Sequence, residues 1–117
     1  MAYSTSLAQR MRQALAAIPH VEEKKMFGGL AFMINGKMCL TVGPGRIMCR
    51  VEPAMHDALV AKKGCSDVIM KGRIYKGYVH VAEAQLQTKA ALDYWVELAL
   101  EYNKTIATAI PSKVRRR

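Results

Sequence analysis

Residues 24–40 read KKMFGGLAFMINGKMCL, and the reading of the glycines in this stretch decides the fold. A phosphate-cradling loop needs GxGxxG between a strand and a helix, or a terminal GK[ST], so that backbone N–H groups and a helix N-terminus meet the anion. Here Gly28-Gly29 run into a strand-like segment, no helical pattern follows, and no GK[ST] is present. The pair is therefore read as a bend or bulge entering a sheet. Asn35-Gly36 is a hairpin signal, because both residues tolerate the positive φ of a type I′ turn. The flanking runs Leu30–Ile34 and Lys37–Val42 become paired strands. A two-residue turn sets their register: Ile34 opposite Lys37, Met33 opposite Met38, Phe32 opposite Cys39 and Ala31 opposite Leu40.

Working outward, Gly43-Pro44-Gly45 turns the chain into a third strand, Arg46–Val51, with Ile47, Cys49 and Val51 on one face. Matching apolar faces pairs Leu40 with Cys49, so the thiols of Cys39 and Cys49 are expected on opposite faces. That register leaves Leu30, Phe32, Ile34, Cys39 and Met48 on the second face, which then requires a cover, either a helix or a partner subunit. Leu30, Phe32, Ile34 and Met48 are accordingly the candidate protein interface, and a homodimer is expected. Eight methionines suit an adaptable contact surface, although methionine also fills gaps in cores.

Before this unit, Ser4, Thr5 and Ser6 are candidate N-caps for a helix whose buried stripe is Leu7, Met11, Ala14, Leu15 and Ile18, ended by Pro19. After it, Pro53 to Lys63 reads as a short helix with Gly64 as its C′ residue. Asp67–Lys71 and Ile74–Val81 read as a second hairpin turning at Gly72-Arg73, with Gly77 marking a bulge or a close backbone approach. A last helix begins between Ala84 and Lys89, with Thr88 a candidate cap, and presents Leu92, Trp95, Val96, Ala99, Tyr102 and Ile106 until Pro111 stops it. The expected order is α-β-β-β-α-β-β-α. This is an α+β, two-layer domain with one antiparallel five-stranded sheet over residues 1–110, followed by a basic C-terminal tail, residues 111–117.

With 117 residues, 51% hydrophobic and 23% charged, the chain has the composition of one globular domain. It lacks an apolar run long enough for a bilayer and the zones of a signal peptide, so a cytoplasmic location without membrane contact is expected. Three cysteines without CxxC spacing argue against a disulfide framework or a zinc site, and the three histidines lack HxH or HxxxH spacing. No metal and no cofactor is expected.

A reactive cysteine needs a base or a positive setting. Cys49 beside Arg50 reads as core, and Cys65 after Lys62-Lys63 lies in a loop. His56 and Asp57 read as a solvated helix start, and His80 as a strand residue pointing outward. No acid, base or nucleophile constellation appears, so an enzyme is not expected.

Net charge is +9, of which Lys113, Arg115, Arg116 and Arg117 carry four. With Arg46, Arg50, Arg73 and Lys76 on strands and turns, and Tyr75 and Tyr78 between them, these residues are candidates for holding nucleic acid by phosphate attraction and base stacking.

Met26-Phe27-Gly28-Gly29, Gly36-Lys37-Met38, Gly72-Arg73, Lys76-Gly77-Tyr78-Val79 and Trp95 to Leu100 together resemble the N-terminal domain of the TfoX/Sxy family, from about Leu7 to about Ile106. The resemblance implies a fold similar to the secretion-chaperone-like arrangement, with Gly28, Gly29, Gly36, Gly72, Gly77 and Trp95 as structural family positions. It also implies a protein-binding role in bacterial transcription regulation, since better-known members are competence coactivators rather than enzymes, and it offers no catalytic residue. Longer members carry a second, C-terminal helical domain, whereas this sequence ends at Arg117, so the competence role does not transfer intact.

Overall fold

The computed structural model describes residues 4–26 and 28–113, with side chains described as far as residue 106. Phe27, Arg115, Arg116 and Arg117 therefore lie outside the described residues, and Lys113 is described only in its backbone. Helix α1 (Thr5–Ala14) is capped by Ser4, whose Oγ accepts from Leu7 N at 3.2 Å. It buries Leu7, Ala8 and Met11, followed by Leu15 just beyond its end. Six strands follow in part: β1 (Val21–Met26), β2 (Gly29–Ile34), β3 (Lys37–Gly43) and β4 (Arg46–Arg50). A 3-10 turn over Pro53–Met55 leads into α2 (His56–Val60), then β5 (Cys65–Met70), β6 (Arg73–Ala82), a second 3-10 turn over Glu83–Leu86 and α3 (Lys89–Lys113). Thr88 caps α3, accepting from Ala91 N at 3.0 Å. The α3 helix continues past Pro111, which removes one intrahelical donor without ending it.

The domain is α+β with one antiparallel sheet, but the sheet has six strands in the order β1-β2-β3-β4-β6-β5, not five. The additional strand, β1, reads VEEKKM, and its four central residues are all exposed. With no apolar alternation it carries no strand pattern, and β2 is its one strand partner. The glycine pair thus lies at the turn of a further hairpin: Gly28 sits in the turn at φ +71°, and Gly29 opens β2, paired with Met26. Asn35 (φ +55°) and Gly36 (φ +79°) form the expected I′-like turn. The β5–β6 turn is Lys71-Gly72 rather than Gly72-Arg73, with φ of +53° and +76°.

The register between β2 and β3 corrects a larger expectation. Ile34 faces Lys37 and Met33 faces Met38, but Phe32 faces Leu40 and Ala31 faces Thr41. Cys39 is the extra residue of a β-bulge. A slip of one residue moves a whole side-chain set to the other face of a sheet. Leu30, Phe32 and Ile34 thereby join Leu40, Val42, Ile47, Cys49, Val79 and Val81 in a single core with Leu7 and Met11 of α1 and Leu92, Trp95, Val96 and Ala99 of α3. Cys39 belongs to the same core as Cys49, so the two thiols are not segregated to opposite faces, and both are free.

The opposite face is crossed by the row Lys24, Ala31, Thr41, Met48, His80 and Ser66. Leu30, Phe32 and Ile34 have left that face, where Ala31, Thr41 and Met48 are buried and Lys24 and Ser66 exposed. Burying a side chain such as Phe32 contributes about 1.5–3 kcal/mol, so the bulge is a substantial determinant of the fold. Among the described residues, no helix is long and apolar enough to cross a membrane.

Candidate functional site

Leu30, Phe32, Ile34 and Met48 do not form an exposed interface. Their exposures are 4%, 1%, 2% and 6%, and the first three belong to the core beneath the domain's own helices. The exposed large apolar residues lie elsewhere. Ile69 and Ile74 face each other across the β5–β6 hairpin at 61% and 52% exposure, and Tyr75 follows at 37%. Tyr75 packs edge-on against Tyr78, with ring centroids 6.1 Å apart.

Strand β5 is also an edge of the sheet, and the two edges differ in chemistry. Edge β1 carries Glu22, Glu23, Lys24 and Lys25, the kind of charge that discourages another strand from adding. Edge β5, CSDVIM, has only Asp67, and that carboxylate is bonded inward to His56. Glu23 is in turn clamped by Arg12 of α1 through two contacts of 2.8 and 2.9 Å, and this bonding holds its carboxyl below the usual range.

The basic candidates do not form one patch. Arg46 pairs with Ala82 at one end of β6 and Arg73 begins the other, roughly 25–30 Å away at strand rise. Arg50 is half-buried, its guanidinium 5.5 Å from the Tyr78 ring centroid and 5.8 Å from that of Tyr102, so both ring contacts are internal. Lys76 lies 2.5 Å from Asp57 Oδ1, a hydrogen bond that lowers the Asp57 carboxyl. Arg73 and Lys71 remain exposed at the hairpin turn beside Tyr75.

His56 is not part of a solvated helix face. It is wholly buried, with Nε2 2.7 Å from Asp67 Oδ1 and Nδ1 accepting from Gly77 N at 3.0 Å. Because the Gly77 N–H can only donate, Nδ1 is the unprotonated nitrogen and Nε2 donates to Asp67. An aspartate orienting a histidine is the arrangement of a general base. Here the nitrogen that would take a proton is occupied by backbone, so the pair fastens α2 to β5 and β6. Gly77 makes this possible: at φ +90°, an added Cβ would stand 3.1 Å from Val51 O and 3.3 Å from Pro53 Cγ. Sequence reasoning missed Asp67 entirely, since a His and an Asp eleven residues apart carry no spacing signal.

His80 does point away from the core, opposite Met48 and Ser66, while its neighbours Val79 and Val81 are fully buried. Burial, then the nearby Arg46 charge, pushes its pKa down to about 4. Burial raises the Cys39 thiol to about 12 and raises that of Cys49 well above its usual range. Cys65 is half-buried and raised for the same reason, with Lys62 opposing the shift. Among the described residues no group of three or more His, Cys, Asp or Glu could hold a metal ion.

A small α+β domain, in which helices pack on one antiparallel sheet and the polar networks fasten elements together, is the class these features define. The model of the TfoX N-terminal domain matches residues 13–102, most of the chain, and the protein belongs to that family. No curated protein and no solved structure gave a significant match.

Proposed function

We propose that the chain is a non-enzymatic macromolecular-interaction domain of the cytoplasm, a protein-binding module in the regulatory role that the TfoX/Sxy resemblance implies. Its docking element is the open β5 edge with the adjoining hairpin tip, and its first partner is a second copy of the chain. The observation that carries this reading is the Ile69–Ile74 cross-strand pair, exposed on the one sheet edge that lacks guarding charges. An edge of this kind pairs with another strand, and a two-fold arrangement would bring the same isoleucines together from both copies. Light scattering during gel filtration tests it. Wild-type protein runs as a dimer, and the double substitution Ile69→Lys and Ile74→Lys gives a folded monomer. A wild-type monomer at all concentrations, or a dimer indifferent to both lysines, refutes self-association through this edge.

A second reading is direct nucleic-acid binding, favoured by the exposed Lys71 and Arg73 beside the exposed ring of Tyr75. The relevant cations are then those of the hairpin tip and the tail, not Arg50. Titration of single-stranded oligonucleotides at several salt concentrations, with Arg73→Ala beside wild type, decides it: unchanged or absent binding removes this reading.

A further inference from the structure

A cavity of about 390 Å³ opens where the end of α1 meets the β2–β3 turn and the middle of α3. Ile34 and Leu100 contribute its apolar wall, and Glu97, Glu101, Asn103 and Lys104 its polar groups. That volume lies within the range of small-molecule sites. Asn103 is the unusual member. It is 3% exposed and occupies a place on the buried stripe of α3, one turn after Ala99, where an apolar residue would serve packing better.

The Asn103 amide is only half used. Nδ2 donates to Ile34 O at 3.1 Å. Since a carbonyl can only accept, this bond fixes the nitrogen toward Ile34 and turns Oδ1 away from it. Oδ1 has no donor among the described residues. Buried acceptors in folded proteins nearly always have one, so this atom is suited to a donor brought from outside.

The charges of the lining indicate which donor. On a chain of net charge +9, this cavity presents two carboxylates against one ammonium. Lys104 lies 3.3 Å from Glu101, whereas Glu97 has no hydrogen-bond or ion-pair partner among the described residues. A buried acceptor and an unpaired carboxylate over an apolar wall match a group that is cationic at one end and apolar at the other.

We propose that this cavity is a binding site for a small organic cation, a primary ammonium on an apolar body, with Asn103 Oδ1 accepting from its N–H, Glu97 adding negative charge at the rim and Ile34 and Leu100 packing on its stem. The site is separate from the β5 edge, so its failure would leave the docking reading untouched.

Titration of the ¹⁵N-labelled 117-residue chain with hexylamine, protonated at neutral pH, tests the site against hexanol and hexanoate as neutral and anionic equivalents. The expected result is saturable shifting of the Asn103 side-chain amide and the Leu100 backbone signal by the amine, weaker binding of hexanol and none of hexanoate. Glu97→Gln, at an exposed position with no hydrogen-bond partner among the described residues, should weaken the amine about two- to fivefold and leave hexanol unchanged. Equal affinity for amine and alcohol, no effect of Glu97→Gln, or no saturable shift at these residues would each overturn the proposal.

Discussion

His56 donates from Nε2 to Asp67 Oδ1 across 2.7 Å with its ring wholly inside the domain, and this contact, with the Gly77 bond at Nδ1, joins α2 to both strands of the last hairpin. Replacing His56 by Leu keeps the volume but leaves the buried Gly77 N–H and the Asp67 carboxylate without their partner. The expected loss is about 2–4 kcal/mol in urea denaturation. Asp67→Asn retains an oxygen acceptor for Nε2–H and should cost about 1 kcal/mol. Equal, small losses in the two variants would show that the network does not fasten these elements.

The two glycines that flank the first hairpin strand should respond differently to alanine. A Cβ on Gly29 would fall on the carbonyl oxygen of Val42, a backbone atom of the paired strand that cannot move aside. Gly36 meets nothing within 4 Å and is constrained only by its φ of +79°. We expect Gly29→Ala to cost about 2–4 kcal/mol and Gly36→Ala about 1 kcal/mol. Matching thermal shifts in the two variants would contradict the close approach of β2 to β3.

The contrast also marks what the sequence makes legible. Turn chemistry at Asn35-Gly36, helix caps at Ser4 and Thr88 and the pairing of Leu40 with Cys49 follow from local rules, and each is present. The bulge at Cys39 does not, because no residue type there demands it; the core selects it by drawing Phe32 beneath the helices. Strand β1 escapes detection because its sequence answers to solvent on most sides, while its pairing is to the backbone of β2. The candidate interface failed with the register on which it depended. Asn103, by contrast, left a signal that went unused: a polar residue at a buried-stripe position of α3.

His80 gives the protein an acid-sensitive contribution to stability. Its pKa falls from 6.5 in the unfolded chain to about 4 in the folded one, chiefly through burial and secondly through Arg46. Between those values the unfolded chain binds the extra proton, so the contribution is complete above about pH 6.5 and is lost as pH drops toward 4. Because the ring is half-buried, solvent screening reduces the effect to about 1 kcal/mol. Urea midpoints measured from pH 7 to pH 4 should therefore fall less for His80→Gln than for wild type. Parallel pH profiles would remove His80 from the account.

The three thiols should separate by reactivity, and the separation reports directly on the bulge. Cys39 and Cys49 both lie in the core at 1% and 0% exposure, and burial holds their thiols far above the range in which thiolate forms at neutral pH. Had β3 kept a regular register, Cys39 would stand outside the core, on the face that carries Thr41 and Met48. Cys65 is half-buried at the start of β5, with its Sγ 3.8 Å from Lys63 O and its pKa raised less effectively because Lys62 opposes the burial. With a disulfide reagent at pH 8, native protein should show one reacting thiol, abolished by Cys65→Ser, and all three after unfolding. The two core thiols should lag by at least about a hundredfold, since they react only through opening of the domain. A fast second thiol that disappears in Cys39→Ser would place Cys39 outside the core and contradict the β2–β3 register on which the core depends.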